Sequence, residues 1–123
     1  MVIVDTSVWV DHLARQDERL CALLEEGEVL MHPMIAAELA LGHLPRRTET
    51  LDALQALPRS PVAGHNEAMV FLNNERLHGL GIGYVDLHLL AAARLAPGIT
   101  LWTRDKRLHR AGVKLGVAAS PLH

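Results

Sequence analysis

Short apolar runs alternate with longer helix-like segments along this chain, and that alternation decides its fold class. Val2-Ile3-Val4, Val29-Leu30-Met31-His32 and Ile99-Thr100-Leu101-Trp102-Thr103 are short and rich in β-branched residues, so they read as buried strands. The segments between them carry apolar residues at helical spacing. Strand–helix–strand order throughout predicts an α/β fold, a three-layer α/β/α domain around a central parallel sheet of four or five strands. At 123 residues, half of them hydrophobic, the chain makes one domain over 1–123 and can build a core without staples. Trp9, Phe71, Tyr84 and Trp102 are the only aromatics. The core is therefore mainly Leu, Val, Ile and Ala, with both tryptophans expected inside it.

The first strand hands over to a helix running to about Leu13, with Thr6 or Ser7 as its capping hydroxyl. Asp17 caps a second helix over 18–26, which Gly27 ends. Pro33 opens a helix to about His43, and Thr48 precedes an amphipathic one with Leu51, Leu54 and Leu57. A helix over 66–79 carries Met69, Val70, Leu72 and Leu77. Segment 84–96 is apolar nearly all round and should be deeply buried. Asp105 caps a last helix to about Leu115. Pro61-Val62-Ala63-Gly64 and Val117-Ala118 are the candidates for additional strands. Gly79, Gly81 and Gly83 mark a loop, but no strand feeds it and no Lys-Ser/Thr follows, so it is not a phosphate-binding loop.

The net charge of −2 gives no global basicity, which leaves local patches to decide any nucleic-acid binding. Cys21 stands alone, so no internal disulfide forms; a reducing compartment and a buried structural thiol are expected. No signal peptide is expected from the amino terminus, and no apolar run approaches the ~20 residues of a membrane helix. The expectation is a soluble cytoplasmic protein without a membrane partner.

Four acids interrupt this pattern. Asp5 follows the first strand, Asp105 follows the strand ending at Thr103, Glu38 sits inside an apolar helix, and Asp86 opens the apolar segment Leu87-His88-Leu89-Leu90-Ala91-Ala92-Ala93. In an open parallel sheet, ligands bind beyond the carboxyl ends of the strands, where Asp5 and Asp105 fall. Glu38 is expected on a buried face with Met34, Ile35, Leu41 and Gly42, aimed into a cleft. If the four converge, their repulsion is relieved by one or two divalent cations, and all-oxygen ligation suits Mg²⁺ or Mn²⁺. A cation so placed acidifies water for phosphodiester hydrolysis. Taken singly, Asp5 and Asp105 also fit as helix N-caps and Asp86 as a dipole partner; Glu38 is hardest to explain that way.

Val2-Ile3-Val4-Asp5-Thr6-Ser7-Val8-Trp9, Glu38, Tyr84-Val85-Asp86 and Leu101-Trp102-Thr103-Arg104-Asp105-Lys106-Arg107-Leu108 together resemble the PIN domain, nearest to the toxin ribonucleases of VapBC toxin–antitoxin pairs. The resemblance covers essentially the whole chain. It implies that Asp5, Glu38, Asp86 and Asp105 form the family's acidic quartet, binding Mg²⁺ or Mn²⁺ and cleaving RNA. It also implies that Ser7 and Thr103 hold a carboxylate or water in place, and that the partners are a homodimeric copy and a cognate antitoxin.

Other residues carry open alternatives. Arg104 reads as a phosphate contact, and Lys106, Arg107 and Arg110 as either phosphate contacts or a solvated face; Lys114 reads as the latter. Arg46 and Arg47 grip substrate or face solvent. Asp11, near the rim on the first helix, reads as a solvated residue, with support of the site's acids as the alternative. The eight histidines lack zinc-site spacing; most should lie at the surface, and terminal His123 should be disordered. The Leu/Met/Val faces of 34–43 and 66–79 form core, a dimer seam or an antitoxin groove. Rival functions are an aspartyl phosphatase or phosphotransferase using Asp5, although Ser7 stands where that chemistry wants a second acid, and a non-catalytic RNA- or protein-binding module.

Overall fold

The computed structural model describes residues 1–119, so the expectation for His123 lies outside the described residues. Three strands, β1 (Val2–Val4), β2 (Val29–Leu30) and β3 (Thr100–Trp102), form a parallel sheet in the order β2-β1-β3. Val2 stands opposite both Val29 and Thr100, and Val4 opposite Trp102. Among the described residues there are seven helices: α1 (Thr6–Ala14), α2 (Glu18–Glu25), α3 (Pro33–Leu41), α4 (Arg47–Gln55), α5 (His65–Asn74), α6 (Tyr84–Arg94) and α7 (Lys106–Leu115). They complete the three-layer α/β/α arrangement.

The expected count of four or five strands is corrected to three. Each sheet edge instead ends in a single parallel bridge, Arg59 to Met31 on one side and Ala118 to Leu101 on the other. Pro58 and Pro61 bracket the first bridge, and proline has no N–H with which to extend a ladder. At the other edge the amides of Val117 and Ala118 both donate to Gly112 O, closing α7. A longer strand there would need those amides.

Ile3, Val4, Leu20, Ile35, Leu89, Leu90, Leu101 and Leu108 are buried, and Trp9 and Trp102 join them. Every residue from Leu87 to Ala93 is buried, as its largely apolar pattern requires. Other expectations need amending. Cys21 is only half-buried. Leu41 is 88% exposed and Met69 and Val70 are exposed too, so those positions of α3 and α5 are not core. Two histidines, His32 and His88, are buried. No helix among the described residues is long and apolar enough to cross a membrane.

Because the strands are parallel, the carboxyl ends of β1 and β3 lie side by side. The Asp5 amide donates to Trp102 O at 2.9 Å, which extends the pairing by one residue and sets Asp5 beside the turn at 103–105.

Candidate functional site

Asp5 holds the N-cap position of α1 yet makes no side-chain cap. Its buried carboxylate is occupied elsewhere: Oδ2 accepts from Ser7 Oγ at 2.7 Å and from Thr103 Oγ1 at 2.8 Å. Each hydroxyl also accepts from the backbone, Ser7 from the Arg104 amide at 3.1 Å and Thr103 from the Asp105 amide at 3.0 Å. Both hydroxyl protons are thus committed to Asp5, and the 3.4 Å separation between the two hydroxyls is proximity without a proton to share. Charge-assisted bonds of this kind fix one carboxylate oxygen firmly. The Thr6-or-Ser7 capping expectation is corrected: neither hydroxyl caps α1.

Asp105 does cap α7, its Oδ1 accepting from the amides of Arg107 at 2.9 Å and Leu108 at 3.1 Å. Asp86 lies in the first turn of α6, where its Oδ2 accepts from the Gly83 amide at 3.1 Å. Tyr84 steadies that turn, its hydroxyl 2.8 Å from His65 Nδ1 and its ring edge-on to His88. Glu38 is exposed, against the expected buried face; it is drawn to the rim by Thr6, whose hydroxyl donates to Oε1 at 2.6 Å. Thr6 is the residue that sequence reasoning missed. The available signal was its place directly after a strand-end acid, on a helix that packs against α3.

A common pattern joins the four acids. Each has one oxygen engaged by a protein donor, and among the described residues none forms an ion pair with Lys or Arg. Among the described residues, the other oxygens, Asp5 Oδ1, Glu38 Oε2, Asp86 Oδ1 and Asp105 Oδ2, have no hydrogen-bond partner. Burial raises the Asp86 carboxyl above its ordinary range. The Gly83 amide draws it back, and the charges of Asp5, Asp105 and Glu38 push it further up. Asp5, Asp105 and Glu38 therefore each lie within electrostatic reach of Asp86. No three His, Cys, Asp or Glu side chains among the described residues make a ready cage for an ion. An open set of oxygen donors fits Mg²⁺, which takes one or two carboxylates and keeps its waters.

Arg104 is anchored beside the 103–105 turn. Its guanidinium is bound by Asp11 and, at 2.7 Å, by Asp17, and lies over the Trp102 ring. Asp11 is exposed, as expected, and also anchors Arg104, while Asp17 combines this contact with its cap of α2 through Leu20. Burial alone would raise the Asp17 carboxyl; the Leu20 amide and Arg104 hold it below its usual range. The clamp fixes the 103–105 turn that bears Thr103 and Asp105. Arg46 pairs with Glu49, and Arg47 donates to Ala40 O at 2.7 Å, closing the end of α3.

A family model described as PIN domain matches residues 2–114. Two relatives, each called Ribonuclease VapC32, come from Mycobacterium tuberculosis strains CDC 1551 / Oshkosh and ATCC 25618 / H37Rv. Each is 46% identical over 118 residues, spanning 96% of this chain and 95% of its own length. The chain belongs to the PIN-domain family and, within it, to the VapC type.

Proposed function

We propose that this chain is a divalent-metal-dependent endoribonuclease, hydrolysing RNA phosphodiester bonds as the toxin of a toxin–antitoxin pair. One observation carries the reading. Asp5, Glu38 and Asp105 stand within electrostatic reach of Asp86; among the described residues each of the four has one oxygen held by a protein donor and none is neutralised by a basic side chain. Such a set is self-repelling unless a cation joins it. The ribonuclease name borne by both relatives supports RNA as the substrate class.

Bound at these oxygens, Mg²⁺ or Mn²⁺ supplies the charge that acidifies water and stabilises the departing oxygen. The protein's part is positional. Ser7 and Thr103 restrain Asp5, the α7 amides restrain Asp105, Gly83 restrains Asp86 and Thr6 restrains Glu38. The aspartyl-nucleophile rival is weakened by Ser7, whose proton is committed to Asp5 Oδ2. The reading brings a cognate antitoxin and a homodimer as partners, in the cytoplasm. Exposed Leu41, Met69 and Val70 offer apolar surface for such contacts.

Purified protein should cleave single-stranded RNA with Mg²⁺ or Mn²⁺, fall to background in EDTA and recover when metal is restored, with its thermal melt retained throughout. Equal cleavage in EDTA refutes the metal dependence; no cleavage with any metal refutes the nuclease. Thr103→Val tests the positioning network. It deletes one donor to Asp5 and the acceptor of the Asp105 amide, and the cleavage rate should fall about 10- to 100-fold. Wild-type rates in this variant would remove Thr103 from the network.

A further inference from the structure

RNA must approach a rim of four carboxylates on a protein of net charge −2, so it needs a locally positive surface close to that rim. The strongest such surface is on α7. Arg107, Arg110 and Lys114 line a cleft of about 210 Å³ against Leu80 of the loop that precedes α6. Among the described residues no carboxylate pairs with any of the three. Lys114 Nζ donates, among the described residues, to the carbonyls of Glu75 at 3.1 Å and Arg76 at 3.3 Å, while the Glu75 carboxylate pairs with Arg94. These cations therefore carry charge that no carboxylate among the described residues offsets.

The loop is shaped to receive one of them. Gly81 has φ +76, and a Cβ there would lie 2.7 Å from Arg107 Cδ and 3.0 Å from its Nη1. Glycine allows the Arg107 side chain to lie flat across the loop. The cleft also begins where the acids are held. The Arg107 amide donates to Asp105, and the same loop ends at Gly83, whose amide donates to Asp86. Residues 107 to 114 cover about 10 Å of helix, enough to meet successive phosphates of an extended strand.

We propose that the cleft between the 79–83 loop and α7 binds backbone phosphates of the RNA strand next to the bond being cleaved. This rests on the nuclease reading above. Phosphate contacts of this kind fix register and carry little base preference.

The test is fluorescence anisotropy with a labelled, unstructured single-stranded RNA in EDTA, titrated at salt concentrations from about 50 to 200 mM, alongside cleavage of the same RNA in Mg²⁺ by the wild type. Arg107→Ala/Arg110→Ala should bind about tenfold more weakly at the low-salt end, and the slope of log affinity against log salt should shrink by about 1.4, or 0.7 for each lost contact. Gly81→Ala keeps every charge but displaces Arg107, so it should give a smaller loss. Arg15→Ala, an exposed cation on the far end of α1, should match the wild type. Restoration by Arg107→Lys/Arg110→Lys supports a charge contact. Unchanged affinity and slope in the double alanine variant, with a wild type that still cleaves RNA, overturns the cleft and leaves the nuclease standing. A wild type that neither binds nor cleaves RNA overturns the nuclease reading and the cleft together. Loss of binding to an acidic peptide, with RNA binding intact, overturns it in favour of a protein partner.

Discussion

Asp5→Asn should abolish RNA cleavage while leaving the fold intact. Asparagine matches aspartate in shape and still offers one carbonyl oxygen to the hydroxyls of Ser7 and Thr103. It removes the negative charge and replaces the free Oδ1 with an amide group that cannot bind a cation. Both the affinity for the cation and its placement should suffer, and a loss on the order of a thousand-fold in rate, about 4 kcal/mol of barrier, is expected. Stability should change little. The two charge-assisted bonds to Ser7 and Thr103 weaken, but a repulsion felt at Asp86 is removed, so the changes oppose each other. The measurements are RNA cleavage time courses, circular dichroism melts and growth after induction. A folded variant that keeps wild-type cleavage within a factor of ten removes Asp5 from the centre of the chemistry. A variant that still arrests growth without cleaving RNA points to a binding module instead.

Asp5 and Asp105 were legible in the sequence because a strand-end acid in a parallel sheet has a fixed address, and chain periodicity alone locates the strands. Asp86 was legible because an acid opening an apolar helix stands out. Glu38 was visible as a mid-helix charge, but its surroundings were not. Helical spacing placed it with Leu41 on a buried face, whereas that part of α3 is exposed and Glu38 is held by a hydroxyl 32 positions away. Local rules gave Thr6 and Ser7 the nearest available role, helix capping, because a hydroxyl after a strand favours it. Tertiary partners outcompeted that role. The same holds for the Arg104–Asp11–Asp17 clamp, whose members lie 93 and 87 positions apart in sequence. Sheet edges failed for a different reason: two prolines and the closing amides of α7 left single bridges where apolar runs suggested strands.

Acid should destabilise this protein well above the pH at which ordinary carboxylates titrate, and His32 is the main cause. It is fully buried, at the N-cap of α3, where Nδ1 accepts from the Met34 amide at 3.1 Å. The ring proton therefore sits on Nε2, which is buried with no hydrogen-bond partner among the described residues. Protonation would convert the capping acceptor into a donor and place a charge in the core. Burial, then the nearby His88, push its pKa down to about 4 from 6.5. Above about pH 6.5 neither the folded nor the unfolded chain carries this proton, and stability is complete. Between about 6.5 and 4 the unfolded chain takes up a proton that the folded chain refuses, so stability falls with pH. Below about 4 both states hold it and the loss levels off, at a total on the order of 3 kcal/mol. His88, lowered by burial and by His65, acts in the same direction. Asp86 acts in the opposite one, since its raised carboxyl gains a proton more readily in the folded state. Urea unfolding at a series of pH values measures the sum, and His32→Asn separates the His32 share, because asparagine keeps a cap acceptor without titrating. The variant should lose less stability than the wild type between pH 7 and 4. Parallel curves for the two proteins would place the acid sensitivity outside His32.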